Sequence, residues 1–235
     1  MSPSSPAASR PEVGVLLPAA GRGERAGSGE LKQFRPIGGV PMLLRAIRPF
    51  AQHPRVRQIV VALPPDVAAC PPAWLKELVA ERLCLVAGGA SRADSVAAAL
   101  ATLDRACQVV LVHDAARPFV TPETIDAVIQ VAQSGVGAVA AIRVSDTLKR
   151  VTGPDARVDE TVDRRSLWRA QTPQAFPRSI LEEAYAARAA LPDPTDDAEL
   201  VERLGHPIQI VPDRATNIKV TSSDDFILAE ALASQ

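Results

Sequence analysis

Val13-Gly14-Val15-Leu16-Leu17-Pro18-Ala19-Ala20-Gly21-Arg22-Gly23-Glu24-Arg25 is the stretch on which the reading of this chain turns. Val13 to Leu17 is a short apolar run of the kind that forms a strand buried on both faces of a parallel sheet. It empties into a loop whose glycines, Gly21 and Gly23, let the backbone approach a bulky anion. Arg22, Arg25 and Lys32 place three cations around that loop. The combination suits a polyphosphate that must be both bound and attacked.

Two commoner glycine loops have to be excluded. A P-loop closes on Gly-Lys-Ser/Thr, and no strand here is followed by it. The dinucleotide fingerprint is harder to set aside, because Gly21-x-Gly23-x-x-Ala26 fits its permissive form. That fingerprint also needs an acid ending the second strand, roughly 20 residues on. The next strand-like run is Gln58–Leu63, and the first acid after it is Asp66, far too distant.

Composition narrows the class further. A chain of 235 residues forms one substantial core, and with 3% aromatics that core must be built from Ala, Val, Leu and Ile. A net charge of −1 gives no electrostatic case for nucleic acid or an anionic membrane surface. Phosphate binding must therefore come from local cations. Cys70, Cys84 and Cys107 show no C-x-x-C spacing and read as reduced thiols of a cytoplasmic protein. The three histidines are dispersed, which argues against a histidine metal site. No apolar run approaches the ~20 residues that cross a bilayer. Residues 1–11 read as a flexible tail and 12–235 as a single domain.

Strand-like runs at Val13–Leu17, Ile59–Leu63, Leu83–Val86, Val109–Val112, Ala138–Ile142 and Ile208–Val211 alternate with helical patterns such as Arg92–Leu103 and Ile125–Ser134. Thr121-Pro122-Glu123 is a helix start, and Ser222-x-x-Asp225 caps a final helix over Phe226–Ala233. This alternation predicts an α/β fold, a Rossmann-like three-layer sandwich with a mostly parallel sheet and ligands at the carboxyl ends of its strands. One segment, about 144–165, breaks the pattern. Asp146–Arg150 and Arg157–Val162 flank the turn Thr152-Gly153-Pro154-Asp155, and so polar a hairpin holds no core of its own. It is either a solvated excursion or a β-arm that clasps a second subunit.

Each strand end carries polar residues with a structural and a chemical reading. Gly88-Gly89-Ala90-Ser91-Arg92-Ala93-Asp94-Ser95 is either a glycine turn with a helix cap or a close backbone approach to a ligand, with Ser95 on a base or sugar edge. In His113-Asp114-Ala115-Ala116-Arg117-Pro118, Asp114 either pairs with Arg117 to shape the loop or holds a metal or hydroxyl. His113 reads as a packed strand-end residue. Lys219, in Asn217-Ile218-Lys219-Val220-Thr221, joins Arg117 and Arg164 as a second group of cations. Two cation groups point to two phosphorylated substrates.

The ordered series P-A-A-G-x-G-x-R from Pro18, K-Q from Lys32, G-G-x-x-R-x-D-S-V from Gly88, V-H-D-A-A-R-P from Val112, D-T-L-K from Asp146, T-V-D-R from Thr161, T-P-Q from Thr172, T-D-D from Thr195 and N-I-K-V-T from Asn217 resembles the 2-C-methyl-D-erythritol 4-phosphate cytidylyltransferase family of the non-mevalonate isoprenoid pathway. The likeness runs from about Val13 to Ala233. It implies transfer of CMP from CTP to the acceptor's own phosphate, which is largely dianionic at neutral pH because its second pKa is ~6. No side-chain nucleophile or base is then required. The resemblance assigns Arg25 and Lys32 to charge stabilisation and Arg164 and Lys219 to holding the acceptor phosphate. It puts CTP against Pro18, Ala19, Ala20, Gly21, Gly23, Gly89 and Ser95, and the acceptor against Asp114, Arg117, Thr147, Thr172 and Thr195.

The resemblance also implies Mg²⁺ held mainly by the triphosphate and a homodimer whose arms cross, so that Thr147 and Arg164 serve the partner's site. Ala26, Leu31 and Asp197 stand where the family commonly has Met, Pro and Glu. None of these removes a charged group assigned to chemistry. The competing readings are a ribitol-5-phosphate cytidylyltransferase, a sugar-1-phosphate nucleotidyltransferase, and a nucleotide-binding protein without catalysis.

Overall fold

Side chains alternate across the first strand in a way that decides the layering. Val13, Val15 and Leu17 enter one apolar cluster, while Leu16 enters another on the opposite face. Such a strand is buried on both sides, as parallel strands are. The protein, seen in a computed structural model that describes residues 12–21, 31–79, 82–188 and 192–234, carries this alternation through its whole central sheet. The expected tail over residues 1–11 and the loop residues Arg22, Gly23 and Arg25 lie outside the described residues.

In chain order the elements are β1 (Glu12–Pro18), β2 (Pro36–Ile37), β3 (Val40–Pro41), α1 (Met42–Ala51), β4 (Val56–Leu63), α2 (Pro65–Ala69), α3 (Ala73–Lys76), β5 (Leu83–Ala87), α4 (Arg92–Thr102), β6 (Cys107–Val112) and α5 (Pro122–Gln133). They continue with β7 (Gly137–Arg143), β8 (Leu148–Thr152), β9 (Arg157–Val162), β10 (Trp168–Pro177), α6 (Arg178–Ala187), α7 (Asp197–Arg203), β11 (Ile208–Pro212) and α8 (Ser223–Ala233). The seven-stranded sheet has the order β11-β7-β10-β6-β1-β4-β5. All neighbours are parallel except at β10, which runs antiparallel to β6 and β7. Helices α1 and α5 cover one face through Leu43, Phe50, Ile125 and Ile129. Helices α4, α6 and α7 cover the other through Val96, Leu100, Leu181 and Val201. The three-layer mixed α/β expectation holds.

The chain moves outward from β1 through β4 to β5, then returns to β6 on the other side of β1. That reversal leaves a crevice beyond the carboxyl ends of β1 and β6, where open α/β sheets bind ligands. Helix starts follow the capping signals. Ser91 and Asp94 close a reciprocal box on α4, Ser222 and Asp225 do so on α8, and Thr121 precedes Pro122 at the first turn of α5. The polar hairpin forms from β8 and β9, its first strand starting two residues later than expected, at Leu148 rather than Asp146.

Strand β10 is absent from the expectation, and its sequence explains why. Trp168-Arg169-Ala170-Gln171-Thr172-Pro173-Gln174-Ala175-Phe176-Pro177 has polar residues and an internal proline, which ordinarily argue against a central strand. The proline sits in a bulge: Gln171 to Pro173 fall between the Ala170–Ala141 and Gln174–Val139 pairs. Beyond the bulge, Ala175 and Phe176 return to the core with no exposure. Phe176→Ala is expected to lower unfolding free energy by about 3–5 kcal/mol, measured by denaturant titration, because it opens a cavity at the centre of the sheet.

Candidate active site

Three loops converge on the crevice because short backbone bonds tie them. The Ala19 amide donates to the Ala62 carbonyl and the Gly88 amide to the Leu63 carbonyl, each at 2.7 Å. Buried Gln33 donates to the Ala19 carbonyl at 2.8 Å, fixing the loop after β1 from the other side. Glycine is required at two positions. A Cβ on Gly88 would lie 2.4 Å from the Ala20 Cβ, and one on Gly89 2.2 Å from the Asp94 Cβ. The result is a cavity of about 370 Å³ bounded by Ala20, Gly21, Gly89, Ser95, Asp114 and Lys219, among others. A second cavity of about 340 Å³ is bounded by Arg117, Arg169, Gln171 and, again, Lys219.

Lys219 thus stands between the two cavities, with its Nζ 2.8 Å from Asp114 Oδ2. The Arg92 Nε lies 3.1 Å from Asp114 Oδ1, and the Arg117 Nε 3.8 Å from Oδ2. Burial opposes ionisation of Asp114, but Arg92, Lys219 and Arg117 outweigh it and hold its carboxyl well below the usual carboxylate range. Arg117 is pulled the other way: burial lowers its pKa despite Asp114. The Asp114–Arg117 pairing of the structural reading is present, and the carboxylate also borders the first cavity. Lys32 reaches the same neighbourhood, donating from Nζ to the Val220 carbonyl at 3.0 Å.

Beneath Asp114 lies a second layer, in which the sequence reading takes His113 only as packing. The His113 Nε2 is 2.9 Å from the Arg117 carbonyl oxygen, an acceptor, so that nitrogen carries the proton. Nδ1 then accepts the Thr172 hydroxyl proton at 3.0 Å, and Thr172 Oγ1 accepts the Asp114 amide at 3.0 Å. Asn217 locks the layer from the β11 side, donating from Nδ2 to the Thr172 carbonyl and the Asp213 carboxylate at 2.8 and 2.7 Å. Its backbone carbonyl accepts from Arg117 at 2.8 Å and Gln171 at 3.0 Å. Burial, the dominant cause, pushes the His113 pKa down to about 4.

The expected residues separate into groups. Pro18, Ala20, Gly21, Gly89, Ser95, Asp114 and Lys219 line the first cavity, with Ala19 in the tied loop, and Arg117 lines the second. The Ser95 hydroxyl donates to the Ser91 carbonyl at 3.0 Å and accepts from the Gly89 amide at 3.2 Å, so it shapes the glycine turn. Thr172 is buried directly under Asp114. Thr195 is exposed ahead of α7, its amide and hydroxyl both donating to Glu199. Thr147 and Arg164 are exposed at the base of the β8–β9 hairpin and line neither cavity of this chain, with Arg164 donating to the Ser145 carbonyl. Sequence reasoning missed Arg92, His113 and Asn217 as members of the site, although all three lie inside the quoted motifs.

A twisted, mostly parallel sheet with a cation-lined crevice at its switch point defines an α/β nucleotide-binding enzyme of the nucleotidyltransferase type. Residues 13–235 match the family model for IspD, 2-C-methyl-D-erythritol 4-phosphate cytidylyltransferase, and the chain belongs to that family. The 2-C-methyl-D-erythritol 4-phosphate cytidylyltransferase of Frankia casuarinae is 44% identical, over 94% of this chain and 81% of that one. The enzyme of the same name from Symbiobacterium thermophilum is 43% identical, over 94% and 92%. The crystal structure of the Thermus thermophilus cytidylyltransferase superposes with a TM-score of 0.80 at 36% identity, covering 95% of this chain and 100% of that one.

The His113 layer predicts a pH dependence. Between its depressed folded value of about 4 and the ordinary ~6.5, the unfolded chain binds more protons than the folded one. Stability therefore falls as pH drops through that window, by roughly 3 kcal/mol at full effect. Asp114, also depressed, adds a loss below the ordinary carboxylate range. Denaturant unfolding from pH 7 to 4 should show this slope, and His113→Asn should flatten its upper part.

Proposed function

We propose that this chain transfers CMP from CTP to 2-C-methyl-D-erythritol 4-phosphate, releasing pyrophosphate. Family membership gives the reaction class, and the observation that carries the proposal is Lys219, which borders both cavities. CTP occupies the first, with its base and ribose against the backbone of Ala19, Ala20, Gly21 and Gly89 and beside Ser95. The acceptor occupies the second, beside Arg117, with its phosphate at Lys219 and its hydroxyls reaching toward Asp114 at the border with the first. A group shared by the two cavities is where the nucleophilic phosphate and the α-phosphate must meet.

The chemistry needs placement more than proton transfer. The acceptor phosphate is already a nucleophile at neutral pH, so the barrier is repulsion between anions, alignment, and charge growing on the α-phosphate. Lys32 and, from the loop outside the described residues, Arg25 stabilise that charge. Lys219 anchors the acceptor phosphate in line. Asp114 commits one carboxylate oxygen to Arg92 and the other to Lys219, and among the described residues no three His, Cys, Asp or Glu side chains converge on a metal. A divalent cation fits here as a companion of the triphosphate, supplying charge neutralisation when bound.

The β8–β9 hairpin is the arm through which two copies associate. Val151 and Val158 pair across it and are 51% and 61% exposed. A second copy covering them would carry Thr147 and Arg164 to its neighbour's acceptor site. The three cysteines are unpaired and no described helix is long and apolar enough to cross a membrane, in keeping with a cytoplasmic enzyme.

Pyrophosphate release with Mg²⁺ and CTP should occur with methylerythritol phosphate and fall at least 100-fold with ribitol 5-phosphate. The reverse preference would move the acceptor and keep the nucleotide half, while folded protein silent with both would overturn the reaction. Lys32→Ala and Lys219→Ala should each lower kcat by about 10²–10³-fold in protein that remains folded by circular dichroism. Near-normal turnover in either would remove that lysine from its role.

A further inference from the structure

Arg92 is the first residue of α4, where a cation opposes the helix dipole, so its position needs another cause. Its Nη1 lies 2.7 Å from Asp197 Oδ2, and Asp197 is wholly buried. The Tyr185 hydroxyl donates to the other Asp197 oxygen at 2.5 Å. The Arg92 Nε lies 3.1 Å from Asp114 Oδ1, whose Oδ2 holds Lys219 at 2.8 Å. Charges therefore alternate along one ladder, Asp197–Arg92–Asp114–Lys219, with the neutral Tyr185 hydroxyl at its buried end. It links the start of α7, the end of β6 and the loop after β11.

Two of the three guanidinium nitrogens, Nε and Nη1, face protein carboxylates where Arg92 borders the nucleotide cavity. Through Nε it is coupled to Asp114, and through Asp114 to Lys219. Two cations on one carboxylate repel each other, so each is held less strongly than it would be with the carboxylate to itself. We propose that Arg92 is a positioning residue that presets Lys219: by engaging one Asp114 oxygen it orients the other and weakens its hold on the ammonium, so that Lys219 can transfer to the acceptor phosphate. This rests on the acceptor reading given above, and buried Asp197, itself held by half-buried Tyr185, is the anchor that keeps Arg92 in place.

The test is a double-mutant cycle in an Asp197→Asn background, whose amide oxygen still accepts from Arg92 Nη1 and so keeps the anchor, and which leaves no buried unpaired carboxylate once Arg92 is replaced. Arg92→Met should lower acceptor kcat/KM at least 20-fold at saturating CTP, with the CTP dissociation constant within threefold. Added to Asp114→Asn it should cost less than a further threefold, and Arg92→Lys should stay within fivefold of its parent. Losses that multiply, or an Arg92→Met effect under threefold, overturn the proposal.

A second readout does not depend on the acceptor. Lys219 is 45% exposed at its side chain. In the Asp197→Asn background, an acetic anhydride pulse read by peptide mass spectrometry should label it at least threefold more slowly when Arg92 is also replaced by Met, because Asp114 then has one cation fewer beside it. Unchanged or faster labelling overturns the role of Arg92 whichever acceptor the enzyme uses, whereas absence of turnover with methylerythritol phosphate in the unmodified enzyme counts only against the substrate assignment.

Discussion

Asp114 is an ionised carboxylate with 11% of its side chain exposed, and the arrangement of the crevice depends on keeping it charged. A lone carboxylate so placed would be neutralised by its desolvation cost. Here Arg92, Lys219 and Arg117 surround it, its amide is bonded to Thr172, and Thr172 is in turn held by His113 and Asn217. These residues come from widely separated segments of the chain. Removing the carboxylate would leave several cations facing one another, so the interaction that organises the site is also one the fold must protect.

That protection explains the sheet order. Strand β10 lies between β6 and β7 and runs against them, so its bulge at Gln171–Pro173 delivers Thr172 to the end of β6 beside Asp114. A parallel strand there would present its opposite end. The same bulge gives Gln171 the reach to the Asn217 carbonyl, joining the loop after β11 to the structure. An antiparallel strand inside a parallel sheet thus has a chemical consequence: it brings a late segment of chain to an early site.

The parallel framework was legible because its strands are runs of Val, Leu, Ile and Ala bounded by glycines and helix caps. Ser91, Thr121 and Ser222 all cap as their spacing indicates. Strand β10 was not legible, since its pairing is decided by neighbours while its polar residues and proline read as a loop. The site shows the same division. Loop backbone and exposed cations such as Lys219 announce themselves by composition. Arg92 does not, because only the fold shows that Asp197, far along the chain, is buried against it. His113 reads as packing, which it is, yet its two nitrogens orient the loop that carries Asp114.

The titratable groups nearest the crevice fit a reaction that uses no side-chain base. His113 is neutral, but its proton is given to the Arg117 carbonyl and its lone pair is taken by Thr172. The Asp114 oxygens face Arg92 and Lys219, and depressed basicity makes it a poor proton acceptor. What the crevice offers is cations whose positions are set before substrate arrives. Under the proposed reaction the nucleophile is an anion that needs no activation and the leaving group is pyrophosphate, so preset cations are the groups that lower the barrier. The cost is that such cations repel one another in the empty site. A buried carboxylate shared among them answers that repulsion while leaving Lys219 exposed enough to be drawn away by a phosphate dianion.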